Sequence, residues 1–237
     1  MKWFIGCSGF NYYEWKENFY PKEVKQADWL TYYSTRFNSV ELNGTFYKFP
    51  VLKNLQRFYK ITPKDFVFSV KAHRIITHRM RMKNAKDKVK EYMNIVEDGL
   101  GEKLHCILFQ LPGSFKYSEE NLENILKSLP EKSSNVVEFR DESWWHDNVF
   151  KALRKHSLTF CNVSFPGLSE ERHFTTKRFY MRFHGVPKLF HSPYSKKHLQ
   201  KVIDEIPARV KERYVYFNNT SFGNAHRNAA LFQQLVD

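Results

Sequence analysis

The stretch LHCILFQLPGSFKYSEENLENILKSLPEKSSNVVEFR, residues 104–140, decides the architecture. Its first eight residues are almost all apolar, with the length and composition of a buried strand. Ser118 then offers a hydroxyl to cap a helix, and Glu119 and Glu120 in the first turn suit the positive end of its dipole. Leu122, Ile125, Leu126 and Leu129 recur at three- and four-residue steps as a buried stripe, and Pro130 stops the helix. A second strand follows in Val136-Val137-Glu138-Phe139-Arg140. Strand, helix, strand in this order implies parallel strands joined by a crossover.

The unit repeats in both directions. Strand candidates fall at residues 2–8, 39–46, 66–73, 104–111, 136–140, 158–164, 179–184 and 214–219. Amphipathic helices are predicted over residues 87–100, where Val89, Met93, Val96 and Leu100 share a face, and over residues 224–236, where Ala225, Ala229, Phe232 and Leu235 do. Eight such units in 237 residues, with no linker or low-complexity tract, predict one α/β domain over residues 1–237, a TIM (β/α)8 barrel. An open doubly wound sheet is the alternative.

Composition narrows the setting. Hydrophobic residues make up 42%, enough for a sizeable core, and no apolar run reaches membrane-spanning length. Cys7, Cys106 and Cys161 lie far apart without a CxxC pair, which points to buried thiols in a reducing compartment and a cytoplasmic protein. The formal charge of +13 favours anionic partners: small anions, acidic surfaces or nucleic acid.

Neighbouring residues on a strand face opposite sides, so parity sorts each strand. Val40 and Leu42 oppose Glu41 and Asn43; Val70 and Ala72 oppose Ser69, Lys71 and His73. Ile107 and Phe109 oppose Gln110, Val137 and Phe139 oppose Glu138 and Arg140, and Met181 and Phe183 oppose Arg182 and His184. One face is greasy and belongs under the helices. The other ends in ionisable groups that would converge inside the barrel mouth, where burial costs several kcal/mol per ion unless each is paired. A fold has no need of such a cluster, whereas catalytic barrels place their residues at these strand ends. The bland alternative is a self-neutralised ion network plugging the barrel. Even that leaves Lys71, Arg140 and Arg182 against Glu41 and Glu138, a surplus that would hold an anion.

Asn218 and Asn219 lead into the turn Ser221-Phe222-Gly223 and a helix start at Asn224, the region where such barrels seat phosphate. These residues also suit an ordinary turn. The basic run from Arg74 to Lys90, interrupted only by Asp87, would form a collar for a polyanion; its plainer reading is a solvated helix start. Dinucleotide, P-loop, GxSxG and HExxH patterns are missing. Glu41, Glu138, His73 and His184 have metal-ligating chemistry, but the cations interleaved with them disfavour a divalent metal, so no metal site is assigned. Lys71 also has the chemistry of a Schiff-base amine, with pairing to a phosphate or carboxylate the favoured role. Trp15, Trp29, Trp144 and Trp145 are read as packing residues, while Tyr12 and Tyr13 with Trp15 are candidates to wall the mouth.

The chain resembles the domain of unknown function 72 family (DUF 72, YecE-like) nearly end to end. The carrying residues are Ile5-Gly6-Cys7-Ser8-Gly9-Phe10 with Glu14-Trp15 and Phe19-Tyr20-Pro21, then Val40-Glu41-Leu42-Asn43 with Thr45-Phe46-Tyr47. They continue through Phe68-Ser69-Val70-Lys71-Ala72, Thr77-His78, Phe109-Gln110-Leu111-Pro112 and Glu138-Phe139-Arg140 with Ser143-Trp144. Arg182-Phe183-His184-Gly185 and Phe217-Asn218-Asn219, with Gly223, Ala225, Asn228 and Ala229, close the series. The resemblance implies a TIM barrel and brings no established activity with it. Phe10, Gly44 and Asp141 depart from the family pattern, which usually has Trp, Ser and His there, so a scheme using a histidine at 141 does not transfer.

The leading expectation is an enzyme of hydrolase, lyase or isomerase type acting on a phosphorylated or other anionic substrate at the mouth. Glu41, Glu138, His184 and Lys71 are its candidate catalytic residues. Arg140, Arg182, Asn43, His73, Gln110, Asn218 and Asn219 are its candidate anion ligands. Two carboxylates also allow glycoside hydrolysis. By analogy of fold alone, sugar isomerases and metal-dependent phosphodiesterases belong to the same field. The rival is a non-catalytic nucleic-acid-binding protein using the basic face.

Overall fold

A computed structural model describes residues 2–237. Eight strands alternate with the surrounding helices: β1 (Lys2–Cys7), β2 (Ser39–Leu42), β3 (Val67–Lys71), β4 (Leu104–Gln110), β5 (Asn135–Glu138), β6 (Thr159–Ser164), β7 (Arg178–Phe183) and β8 (Glu212–Phe217). All neighbouring strands pair in parallel, in the order β1-β8-β7-β6-β5-β4-β3-β2. The helices are α1 (Trp29–Tyr33), α2 (Gly44–Tyr47), α3 (Leu52–Ile61), α4 (Lys86–Leu100), α5 (Glu119–Ser128), α6 (Asp147–Lys155), α7 (Lys196–Asp204) and α8 (Asn224–Val236). The fold is a TIM barrel. Ser118 caps α5 as its chemistry demands, accepting from the Asn121 N–H at 3.1 Å.

Two cores confirm the parity. Phe4, Val67, Cys106, Leu108, Val136, Cys161, Val163, Tyr180, Tyr214 and Tyr216 fill the barrel interior as one cluster. The opposite faces, including Val40, Leu42, Val70, Phe109, Val137, Met181 and Phe183, pack beneath the helices in a second. The interior is therefore apolar and aromatic through its middle, with an Arg178–Glu212 ion pair at the bottom and a buried charged cluster at the top layer.

Two expectations need correction. The second strand stops at Leu42 rather than continuing to residue 46, because Gly44–Tyr47 turns into α2 and the Thr45 hydroxyl donates to the Lys71 carbonyl at 2.7 Å. The crossover from β6 to β7 holds no helix. Residues 165–177 carry no apolar stripe to bury. They are instead held by Asn162, whose amide both donates to the His173 carbonyl and accepts from its N–H, at 3.0 and 2.8 Å.

The ring closes between β1 and β2 through a single bridge, Ser8 to Glu41, and through side chains that replace the missing ladder. The Tyr33 hydroxyl accepts from the Cys7 N–H at 2.7 Å and donates to the Ser39 carbonyl at 3.1 Å. Asn38 does the same lower down with the Ile5 N–H and the Trp3 carbonyl. This seam needs glycine at position 6, since a Cβ there would sit 1.9 Å from the Ser39 oxygen. Gly6→Ala should therefore spread the seam and cost about 3 kcal/mol. The check is the urea midpoint, and an unchanged midpoint would rule this closure out.

Candidate functional site

The top layer is built from residues of matching parity on β2, β5 and β7, so their side chains meet at one level. Arg182 lies at the centre, fully buried. Its Nη2 and Nε donate to Glu41 Oε1 at 2.7 and 3.1 Å, and its Nη1 donates to Glu138 Oε2 at 2.7 Å. Ser8 Oγ also donates to Glu41 Oε1, at 2.6 Å, and the Tyr180 hydroxyl donates to Oε2 at 2.7 Å. Arg140 Nε donates to the remaining oxygen of Glu138. Every carboxylate oxygen is thus engaged by the chain itself.

The electrostatics follow from this packing. Burial alone would raise the Glu138 carboxyl, but Arg140, Arg182 and the adjacent His184 outweigh it and hold Glu138 well below the usual carboxylate range. Burial also pulls on Arg182, and Glu138 and Glu41 more than restore it. His184 is buried with Nε2 3.6 Å from Glu138 Oε1 and 3.2 Å from Arg140 Nη2, while its Nδ1 meets the Asn218 amide at 2.9 Å. Burial, then the two guanidiniums, keep this imidazole neutral.

Lys71 differs from the rest. It ends β3 on the inward side, yet its ammonium has no hydrogen bond or ion pair among the described residues; it rests on the Phe46 ring, 4.0 Å from the centroid. Burial, then the charge of Arg182, lowers it to about 7 against the pull of Glu138 and Glu41. The two guanidiniums and two carboxylates cancel, so the surplus cation counted in the sequence is Lys71. Arg140 is the guanidinium nearest the surface, with its side chain 14% exposed and its planar group 4.2 Å from the Phe165 centroid. Between the loops after β1 and β2 and helix α3 lies a cleft of about 540 Å³ lined in part by Gly9, Tyr12, Asn43, Thr45 and Phe49. The Asn43 Oδ1 is buried there without a hydrogen-bond partner.

The structure thus brings together Glu41, Glu138, Arg140, Arg182, His184 and Asn218, with Lys71 adjoining. It does not gather the others at the same point. His73 turns to the Phe49 ring, 5.3 Å away, beyond the end of β3. Asn219 ties the Ser192 carbonyl to Asn228. Gln110 donates back to the Leu111 carbonyl, and Asn43 lines the neighbouring cleft. The turn expected to seat phosphate meets a carboxylate of the chain itself: the Phe222 N–H points at Glu14 Oε2, 3.4 Å away. Asp141 accepts from the Ser143 N–H and hydroxyl as a local cap. Sequence reasoning missed Ser8, Tyr180, Phe46, Phe165 and His78. Tyr180 shares the parity of Arg182 and His184, which could have found it; the others lie beyond the strand ends, Phe46 on α2 and His78 in a helical turn after β3, where strand parity says nothing.

These features define a class: an α/β barrel whose mouth is floored by a buried Glu–Arg network. The chain belongs to the family described as protein of unknown function DUF72, whose family model matches residues 4–237. It is 31% identical to a DUF72 family protein of Thermotoga maritima MSB8 of known structure, with a TM-score of 0.90 over 100% of this chain and 99% of that one. A DUF72 family protein of Enterococcus faecalis V583, 19% identical, shares the fold with a TM-score of 0.81 over 99% of this chain and 95% of that one. The UPF0759 protein YunF of Bacillus subtilis (strain 168) is 24% identical over 270 residues, 99% of this chain and 94% of that protein. Among the described residues no helix is long and apolar enough to cross a membrane.

Proposed function

We propose that the protein is an enzyme acting on a small anionic substrate at the barrel mouth. Arg140 and Lys71 hold the anion, and Lys71 moves the proton. The observation that carries this reading is Lys71 itself: an amine at a strand end, unpaired, and poised near 7 by burial and by Arg182. A group tuned to neutral pH is what general acid–base chemistry needs. Glu41 and Glu138 were the first candidates for that work, and their geometry supports another task. Locked onto guanidiniums, they orient Arg182 and Arg140 and keep the cations from repelling one another. His184, neutral and bonded to Asn218, sits behind Arg140 as a spacer of fixed orientation.

The test is a thermal-shift screen of phosphorylated and carboxylated metabolites against the wild type and Arg140→Gln. A ligand that raises the wild-type Tm by several degrees and loses its effect in Arg140→Gln supports the reading; equal shifts in both proteins exclude it. The exposed Arg74, Arg79 and Arg81 on the loop after β3 favour a second reading, a basic face for nucleic acid. Lys83 and Lys88 of the same run are already paired with Glu120 and Glu91. That reading predicts salt-sensitive binding of generic duplex DNA, lost in Arg74→Glu/Arg79→Glu and untouched in Arg140→Gln.

A further inference from the structure

The loop that leaves β3 contains a π-helical turn at Ile75–Arg79, in which the Met80 N–H donates to the Ile75 carbonyl at 2.8 Å. Such turns are rare and recur at functional sites, because the inserted residue redirects a side chain. Here the turn buries Thr77 and presents His78 to the Phe46 ring, edge to face, with centroids 4.9 Å apart. The same ring carries the Lys71 ammonium. Thr77 Oγ1 is 2.9 Å from His78 Nδ1 and fixes the imidazole, while no hydrogen-bond partner holds Nε2 among the described residues. Burial, then Lys71, Arg140 and Arg81, lower this imidazole to about 4, so it is neutral at physiological pH. An amine, a neutral base and an anion-holding guanidinium therefore share one corner of the mouth, and acid–base catalysis alone leaves the pairing of Lys71 with His78 unexplained.

We propose that Lys71 forms an imine with its substrate and that the substrate class is a small phosphorylated aldehyde or ketone, with the phosphate on Arg140 and His78 as the proton carrier. The proposal rests on the anion-binding reading of the mouth. The neutral Nζ adds its lone pair to the carbonyl carbon; the π pair moves to oxygen, which gains a proton as the nitrogen gives one to His78 Nε2. The carbinolamine hydroxyl then takes up a proton and leaves as water, and the nitrogen lone pair closes the C=N bond. One neutral amine, one carbonyl and one proton give one protonated imine and one water, with no change in oxidation state. The absence of an acceptor on Nζ suits this step, since a hydrogen-bonded or ion-paired ammonium would be held out of reaction. The charged groups facing Nζ are Glu41 on β2, Glu138 and Arg140 from β5 and Arg182 on β7, and the titratable neutral group is His78 in the π turn.

The experiment treats the full chain with glycolaldehyde phosphate and sodium cyanoborohydride, which reduces an imine to a stable secondary amine, and maps the adducts by peptide mass. At pH 7.5 the adduct on Lys71 should form at least about tenfold faster than on the exposed Lys151 and Lys155. The gap should narrow towards pH 10, since an ordinary alkyl amine becomes more nucleophilic there. Lys71→Arg should lose the fast adduct, and His78→Asn should slow it while leaving the thermal shift by inorganic phosphate in place. Labelling of Lys71 no faster than Lys151 overturns the proposal; if phosphate still shifts the Tm, the anion-binding reading survives that failure. Equal labelling by glycolaldehyde and its phosphate overturns the phosphorylated substrate class, and with it the role given to Arg140.

Discussion

Replacing Arg182 with leucine should destabilise the fold by about 3–5 kcal/mol, because it strands Glu41 as a buried charge and leaves Glu138 with Arg140 alone. The pH dependence should identify the cause. In the wild type Glu138 lies below the ordinary carboxylate range, so it stabilises the fold above about pH 4.3 and that contribution fades only as the pH falls through its lower folded value. In Arg182→Leu the stranded Glu41 is a buried carboxyl stripped of its guanidinium, so protonation favours the fold and the variant regains stability as the pH falls. Urea midpoints at pH 8 and pH 5 decide it: the gap between the proteins should be wide at pH 8 and shrink at pH 5. A gap of constant size would mean that the loss is one of packing volume rather than of charge.

Lys71→Met should act with the opposite sign. Lys71 binds its proton less tightly folded than unfolded, being lowered from 10.5 to about 7 by burial and by Arg182. Between those values the unfolded chain holds more protons, so the wild type gains stability as the pH rises from about 7 to 10.5 and carries its largest penalty below 7. A methionine of similar length removes that penalty. The variant should be more stable than the wild type by roughly 2–4 kcal/mol at pH 6 and little different at pH 10.5. It should also lose turnover and the fast aldehyde adduct. Destabilisation at pH 6 would mean that Lys71 serves the fold, and its place at the centre of the site would be lost. Opposite signs at neighbouring positions separate a structural floor from a functional group above it.

Much of this was legible before any coordinates. The apolar runs with helical stripes between them imply parallel strands, and the Ser118 cap and the Asn224–Val236 helix lie where the sequence puts them. Parity alone placed Glu41, Lys71, Glu138, Arg140 and Arg182 on the inner face, since the two-residue period of a strand leaves no other choice once the greasy side is under the helices. The reading failed where the period failed. Past the strand ends at Leu42, Lys71 and Phe217 the chain leaves the pleat, so Asn43, His73 and Asn219 go their own ways into cleft, rim and loop.

By itself the sequence determined the barrel, its two-faced strands and the charged character of its mouth, because hydrophobic periodicity is a local property of the chain. Which charges pair, and which is left over, was decided only by the closed ring. Arg182 on β7 reaches Glu41 on β2 and Glu138 on β5, and the resulting cancellation leaves Lys71 alone beside Phe46 and a turn that brings in His78. Pair formation depends on distances across the barrel, and no spacing along the chain encodes those.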